Sequence, residues 1–132
     1  MAKANSEERR AQLRALKATS RRAKSSGILS AFDAALPWQL TAGQIQVSRE
    51  IEEDLAAPYP MHRLLQGEVG SGKTIVALRA MLTVIDNGGQ AALLAPTEVL
   101  AAQHLRTIQA LLGPLAHGGM LGGSEKATHV TL

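Results

Sequence analysis

The first regular pattern of apolar and polar residues begins after Thr41. Apolar residues then recur at every fourth position along one side of a helix, at Val47, Ile51 and Leu55. Thr41 is a candidate N-cap, and Gln44 can complete a capping box, in which each of the two side chains accepts the other residue's backbone N–H. The pattern predicts an amphipathic helix that starts after Thr41 and stops before Pro58.

Two further helices are predicted downstream. Residues 73–86 present one apolar face, and the Asn-Gly-Gly sequence at 87–89 closes that helix. The face consists of Ile75, Leu78, Leu82 and Ile85, widened by Val76 and Met81. A last helix, from about Thr97 to Leu112, turns its apolar face inward at Leu105, Ile108 and Leu112. We expect Arg79 and Arg106 to project from these helices into solvent.

Short apolar runs predict strands between the helices. The candidates are HRLLQG, at 62–67, and QAALLA, at 90–95. Because one helix separates them, residues 62–95 are expected to form a right-handed βαβ unit with parallel strands. The stretches GMLGG, at 119–123, and THVTL, at 128–132, are read as strand fragments. The predicted fold class is therefore α/β, with a parallel sheet that is incomplete.

Composition restricts the kind of domain that these elements build. Of the 132 residues 45% are hydrophobic, but there is only one Trp, one Tyr and one Phe, so we expect a core of small aliphatic side chains and weak independent stability. The absence of Cys excludes disulfides and thiolate metal sites. The N-terminus lacks the apolar run of a secretory signal, and no apolar stretch approaches the ~20 residues of a membrane-spanning helix. These features predict a cytoplasmic protein.

Positive charge is concentrated in the first 26 residues. They contain eight Lys or Arg and two Glu, a net charge of +6, whereas the rest of the chain carries −3. The basic segment is either an arm that follows a phosphate backbone or a solvated tail.

We divide the chain into a basic tail and linker at 1–35, which includes Asp33, and a globular part at 36–132. Pro37 is expected to keep Leu36 out of a helix.

The strongest motif is Gly67-x-x-x-x-Gly72-Lys73-Thr74, the spacing of a phosphate-binding loop between a strand and a helix. The glycines allow successive backbone N–H groups to point at an anion, and the following helix adds its positive end. Lys73 is placed to reach the outer phosphates and Thr74 to ligate Mg²⁺, so both are the candidate catalytic residues. Nucleotide contacts are predicted at Gly67, Glu68, Val69, Gly70, Ser71, Gly72, Lys73 and Thr74.

Two flanking segments narrow the choice among nucleotide-binding families. The order LT-x-x-Q, LLQG-x-VGSGKT and APTE-x-LA-x-QH resembles the first motor domain of superfamily 2 DNA helicases, most closely the RecG family of branch-migrating translocases. The resemblance covers roughly residues 36–126 and implies a RecA-like P-loop NTPase fold with three layers, incomplete in this chain. RecG members more often have Asp at the position of Glu68. Transcription-repair coupling translocases are the second resemblance, but they usually carry a bulky aromatic where Ser71 stands.

The resemblance also implies roles for residues outside the loop. Gln44 would contact the adenine edge and select ATP, a role compatible with the capping box. Pro96, Thr97 and Glu98 would touch the DNA backbone, whereas the alternative is an ordinary helix start capped by Thr97. The implied cofactors are ATP and Mg²⁺. The implied partner is DNA, in the form of branched junctions and forks, bound by the longer parent protein.

Hydrolysis requires groups that the sequence does not place correctly. A motor of this type needs an acidic residue at the end of a third strand to hold Mg²⁺, and an arginine from a second motor domain. Asp86 ends an apolar run, but it lies in the helix directly after the loop. We therefore expect a helicase fragment that binds MgATP without useful hydrolysis. The competing hypotheses are a stand-alone nucleotide-binding module with a basic docking tail, and a remnant that does not fold.

Overall fold

The computed structural model describes residues 27–117 and 127–132, and these contain four α-helices and a 3₁₀ turn. The elements are α1 (Ile28–Ala35), α2 (Ala42–Leu55), α3 (Lys73–Asp86), α4 (Glu98–Leu112) and the 3₁₀ turn Gly113–Ala116. The three helices predicted from the apolar pattern are confirmed as α2, α3 and α4. The basic tail at 1–26 and the predicted strand fragment at 119–123 lie outside the described residues.

The Asn-Gly-Gly sequence at 87–89 ends α3 as predicted. The N–H of Gly88 donates to the carbonyl of Ile85 at 2.9 Å, and the N–H of Gly89 donates to the carbonyl of Val84 at 3.0 Å. This pair of bonds is the Schellman arrangement, which satisfies carbonyl groups that the last turn of a helix leaves without partners. The end of α3 is therefore encoded locally.

The helix α1 lies in a stretch that was expected to be a linker. Its N-cap, Gly27, has no side chain to offer, and the carboxylate of Asp86 at the end of α3 takes that function. Asp86 accepts the N–H of Ile28 at 2.7 Å and the N–H of Leu29 at 3.1 Å. The helix ends at Ala35, and its C-cap Leu36 is extended, as the position before a proline predicts. The linker interpretation of residues 28–35 was wrong, while the division of the chain at residue 36 stays a prediction.

A second contact fastens α1 to α3, and it corrects the expectation for Arg79. The guanidinium of Arg79 donates from Nε to Asp33 Oδ1 at 2.9 Å and from Nη2 to Oδ2 at 2.8 Å. The Arg79 side chain is only 13% exposed, because α1 covers it. The hydrogen bond to Asp33 raises the pKa of Arg79 above its ordinary value. The prediction that Arg79 is solvated was therefore wrong, as was the placement of Asp33 in a linker.

The hydrophobic core lies around α3. It includes Ile28, Phe32, Leu78, Leu82, Ile108, Leu112, Leu115 and Ala116. Phe32 from α1 and Leu82 from α3 are completely buried. The helix α3 also packs against α2, so it is the element around which the others are arranged. Because α3 starts at Lys73, the packing of this helix decides where the phosphate loop is held.

The apolar core is open on one side. A groove of about 350 Å³ runs between α3 and α4 and is also lined by residues 128–132. Leu105, which was predicted to turn inward, lines this groove and is half-buried. Among the described residues no helix is long and apolar enough to cross a membrane.

Neither predicted strand forms within the described residues. Segments 62–67 and 90–95 have no strand partner, and the fragment at 128–132 contributes only an isolated antiparallel bridge between His129 and His117. The side chains of Leu64 and Leu94 are 80% and 93% exposed. A strand forms only where a neighbour shares its backbone hydrogen bonds, and neither segment contains the β-branched or aromatic residues that favour a sheet. The expected parallel sheet is therefore not present in the part of the chain that the structure describes.

Candidate nucleotide-binding site

The phosphate loop enters α3 through two glycines with left-handed backbone angles. Gly70 has a φ of 83° and Gly72 a φ of 82°, values that other residues rarely adopt. Between them, the N–H of Ser71 donates to the carbonyl of Glu68 at 3.1 Å and closes a tight turn. Gly72 is also the N-cap of α3. The glycines of the motif are thus required where the chain turns into the helix.

The loop folds back on itself so that Gly67 and Gly72 each lie close to another side chain. A Cβ atom at Gly67 would lie 2.6 Å from the Ser71 hydroxyl oxygen, and one at Gly72 would collide with the side-chain amide of Gln44. Both contacts are far closer than ordinary van der Waals distance, but each is made by the end of a side chain that can rotate. A side chain at Gly67 would therefore displace the Ser71 hydroxyl, and one at Gly72 would displace the Gln44 amide from its bond to Ser71.

Lys73 and Thr74 form the first turn of α3, directly after the loop. The ammonium of Lys73 donates to the carbonyl of Gly67 at 2.6 Å and to that of Glu68 at 2.8 Å. An ammonium group has three protons, so one remains for a phosphate oxygen. The N–H groups of Lys73 and Thr74 have no partner within the helix and lie at its positive end, whereas that of Ile75 donates to the carbonyl of Gly72 at 3.1 Å. The groups that a phosphate requires are therefore gathered at one point.

Gln44 joins α2 to the phosphate loop. Its side-chain Oε1 accepts the backbone N–H of Thr41 at 2.9 Å, and its backbone N–H donates to Thr41 Oγ1 at 3.2 Å. These two bonds confirm the predicted capping box. Its Nε2 donates to the carbonyl of Ser71 at 3.1 Å. The bond from Nε2 to Ser71 could not be predicted from the capping pattern, because it joins residues 27 positions apart.

The side-chain amide of Gln44 can form further hydrogen bonds with a ligand. A primary amide offers two donor protons and two acceptor lone pairs. Ser71 uses one proton and Thr41 uses one lone pair. One donor proton and one acceptor lone pair remain on a planar group. Such a pair can bind a planar ligand that presents an acceptor next to a donor.

The residues expected to touch DNA lie at the start of α4. Thr97 is the N-cap, and its hydroxyl accepts the N–H of Leu100 at 3.3 Å. Glu98 lies in the first turn, and Pro96, Thr97 and Glu98 are all exposed. The capping function predicted as the alternative is confirmed, while the contact with DNA stays a prediction.

Magnesium would depend on oxygens that the nucleotide brings with it. In residues 27–117 and 127–132 no group of three or more His, Asp or Glu side chains could hold a metal ion. Mg²⁺ is commonly held by one or two protein ligands together with substrate phosphates and water. The hydroxyl of Thr74, in the first turn of α3, suits this arrangement. The residues present therefore fit a Mg²⁺ ion that arrives with a triphosphate.

The sequence did not indicate that Arg63 is part of this region. Its guanidinium is bound by Asp54 and Glu50, both from α2. The only signal in the sequence was the spacing of these two acids, which lie four residues apart and hence on one face of a helix. Their common partner could not be identified without the tertiary structure.

The sequence model of the DEAD/DEAH box helicase family matches residues 41–131. Curated proteins named "ATP-dependent DNA helicase RecG" are similar over much of the chain. The Mycobacterium tuberculosis protein is 62% identical over 109 residues, which cover 83% of this chain and 15% of the relative. The Mycobacterium leprae protein is 57% identical over the same length and coverage. The Staphylococcus aureus protein is 50% identical over 91 residues, which cover 69% of this chain and 13% of the relative.

This chain thus spans about 15% of the length of the mycobacterial relatives that it matches. No solved structure matches it at a significant level. The helicase match implies a RecA-like P-loop fold, of which the described residues show the helices and the phosphate loop but no strand. The match includes Gln44, the phosphate loop and the 96–98 turn. On these grounds the chain belongs to the DEAD/DEAH box helicase family and is a RecG-type sequence.

Proposed function

We propose that this chain is the ATP-binding part of a RecG-type ATP-dependent DNA helicase, and that it binds MgATP. The observation that carries the proposal is the hydrogen bond between Gln44 and the carbonyl of Ser71 at 3.1 Å. It places a planar amide, suited to a base, against a loop whose Lys73 and Thr74 are suited to phosphates. A mononucleotide presents both kinds of group in one molecule.

The positions left on Gln44 favour adenine. The corresponding edge of adenine presents an acceptor, N7, beside a donor, the N6 amino group. These match the free donor and the free acceptor of the Gln44 amide. Guanine presents two acceptors, N7 and O6, at the same edge, so its O6 would face an acceptor. The site is therefore expected to prefer ATP over GTP.

Lys73, Thr74 and the amides of the loop would hold the phosphates. The third proton of the Lys73 ammonium and the first amides of α3 are available to phosphate oxygens. Gly67, Glu68, Val69, Gly70, Ser71 and Gly72 would line the phosphates with their backbone. The hydroxyl of Thr74 would ligate Mg²⁺, which, when bound, neutralises the charge on the β- and γ-phosphate oxygens.

The proposed action on DNA belongs to the longer protein. The mycobacterial relatives are named DNA helicases, and the chain covers 15% of them. We propose that the exposed turn at Pro96, Thr97 and Glu98 contacts the DNA backbone, and that the parent acts on branched junctions and forks. These 132 residues are not expected to hydrolyse ATP usefully, because the sequence offers no acid behind a third strand. ATPase activity clearly above that of Lys73→Ala would contradict this expectation.

Calorimetric titration of the full chain with MgATP, MgADP and MgGTP tests the proposal. Lys73→Ala removes the phosphate-binding ammonium and should abolish saturable binding. Gln44→Glu keeps an acceptor for the N–H of Thr41 but removes the amide donor, so the Kd for MgATP should rise at least about tenfold. The ratio of the Kd for MgGTP to the Kd for MgATP should be smaller in the same variant than in the wild type.

Melting curves of the wild type and both variants control for folding. A folded wild type that does not bind MgATP would refute the nucleotide-binding function. Equal affinity of the wild type for MgATP and MgGTP would be consistent with the proposed phosphate site. It would refute the proposed contact between Gln44 and the base.

A further inference from the structure

Arg63 lies on the segment that enters the phosphate loop, and α2 holds it with two carboxylates. Its Nε donates to Asp54 Oδ2 at 2.6 Å, and its Nη1 donates to Glu50 Oε2 at 2.9 Å. The two acids are one helical turn apart, so the planar guanidinium reaches both at once. The hydrogen bond to Asp54 raises the pKa of Arg63 above its ordinary, already high value.

The same helix contacts the other side of the loop. Gln44, near the start of α2, donates to the carbonyl of Ser71 at 3.1 Å. Glu50 and Asp54 lie six and ten residues further along α2, about 9 and 15 Å along its axis at 1.5 Å per residue. The helix α2 is therefore attached to the chain before Gly67, through Arg63, and to the chain after it, through Ser71.

We propose that Arg63 is a positioning residue for the nucleotide. Held by Glu50 and Asp54, it fixes the entry to the phosphate loop against α2, while Gln44 fixes the exit. The separation between the base contact and the phosphate-binding groups is then set by one rigid helix. This inference rests on the proposed nucleotide-binding function.

The loop needs such support because its glycines confer flexibility. A glycine-containing loop loses much conformational freedom when it is ordered, and a ligand that must order it binds more weakly. Attachment at both sides orders the loop in advance. The side chains of the ion pairs are partly exposed, at 34% for Arg63, 36% for Asp54 and 42% for Glu50, and exposed pairs contribute little to folding stability. Their removal should therefore affect nucleotide binding more than unfolding.

The test is the Kd of MgADP for the full chain and its variants, measured by calorimetry. Arg63→Met removes both ion pairs and keeps the side-chain stem, so the Kd should rise roughly threefold to tenfold. Arg63→Lys retains the charge but cannot reach both acids in the same fork, so its Kd should lie between those of Arg63→Met and the wild type. Arg106→Met, an exposed position on α4, is the matched control and should leave the Kd unchanged.

A double-mutant cycle separates positioning from general destabilisation. If Arg63 acts through Asp54, Asp54→Asn alone raises the Kd, and adding it to Arg63→Met changes little further. Melting temperatures of all variants should stay close to that of Arg106→Met. An unchanged Kd in folded Arg63→Met would overturn the inference alone. A loss of binding that simply follows a large fall in melting temperature would also overturn the positioning role of Arg63. A folded wild type without MgADP affinity would overturn both that role and the proposed nucleotide-binding function.

Discussion

Replacement of Asp86 by alanine should destabilise the fold from the end of α3 opposite the nucleotide site. The carboxylate is the cap of α1, because Gly27 has no side chain to cap that helix. Asp86→Ala removes both acceptors and leaves the N–H groups of Ile28 and Leu29 without them. The first turn of α1 is then expected to fray, and the packing of Phe32 on α3 depends on that turn.

The two hydrogen bonds determine the size of the effect. Loss of an N-cap acceptor costs about 0.5 to 2 kcal/mol of unfolding free energy. Hydrogen bonds to a charged acceptor contribute more to stability than bonds between neutral groups. The Asp86 contacts, at 2.7 and 3.1 Å, are only part-buried, so water can replace some of what is lost. We expect Asp86→Ala to lower the unfolding free energy by about 1 to 2 kcal/mol. Asp86→Asn retains one acceptor oxygen and should lose about half as much.

Urea denaturation followed by circular dichroism measures the change. With a slope of about 1 to 3 kcal/mol per molar urea, the loss corresponds to a midpoint about 0.3 to 2 M lower. The slope should stay constant, since the surface exposed on unfolding hardly changes. Glu53→Ala, an exposed acid on α2, is the control and should stay within about 0.5 kcal/mol of the wild type.

An Asp86→Ala midpoint equal to that of the Glu53→Ala control would refute the reasoning. It would mean that water satisfies the first amides of α1 as well as the carboxylate does. A loss that is equally large in Asp86→Ala and Asp86→Asn would point instead to the negative charge at the N-terminus of α1 as the main contribution.

Three further predictions concern the core, the ion pair and the loop. Leu82→Ala removes a completely buried side chain, and thermal melting should show a loss of about 3 kcal/mol or more. Arg79→Met should cost about 1 to 2 kcal/mol because it leaves Asp33 without its partner, and adding Asp33→Asn should recover part of that loss in urea titrations. Gly72→Ala places a methyl group against Gln44 at a positive φ, so calorimetry should show MgADP binding weakened by at least about tenfold; unchanged affinity would contradict the described loop geometry.

The sequence predicted well wherever a structural feature depends on neighbouring residues. The capping box of Thr41 and Gln44 and the end of α3 at 87–89 involve partners three to five positions apart, and both were confirmed. The bounds of α2, α3 and α4 follow from the same local signals. The position of the phosphate loop before α3 was predicted by its spacing alone.

Features with distant partners could not be predicted in this way. The stretch that forms α1 was read as a linker, because its capping group, Asp86, is 58 residues away from Ile28. The strands at 62–67 and 90–95 were predicted from apolar runs, but a run of apolar residues shows only that a segment can be buried. A strand requires a neighbour that is aligned to share its backbone hydrogen bonds, and within the described residues neither segment is paired with one.

The sequence by itself determined α2, α3 and α4, the local hydrogen bonds at their ends and the residue types that suit a nucleotide. Only the tertiary structure decided which side chains meet: Gln44 with Ser71, Arg63 with the acids of α2, and α1 with the far end of α3. The physical reason is the range of the interactions. Helical periodicity and capping act over one or two turns and leave a pattern along the chain, whereas long-range hydrogen bonds and ion pairs depend on how α3 packs against its neighbours, which no local pattern records.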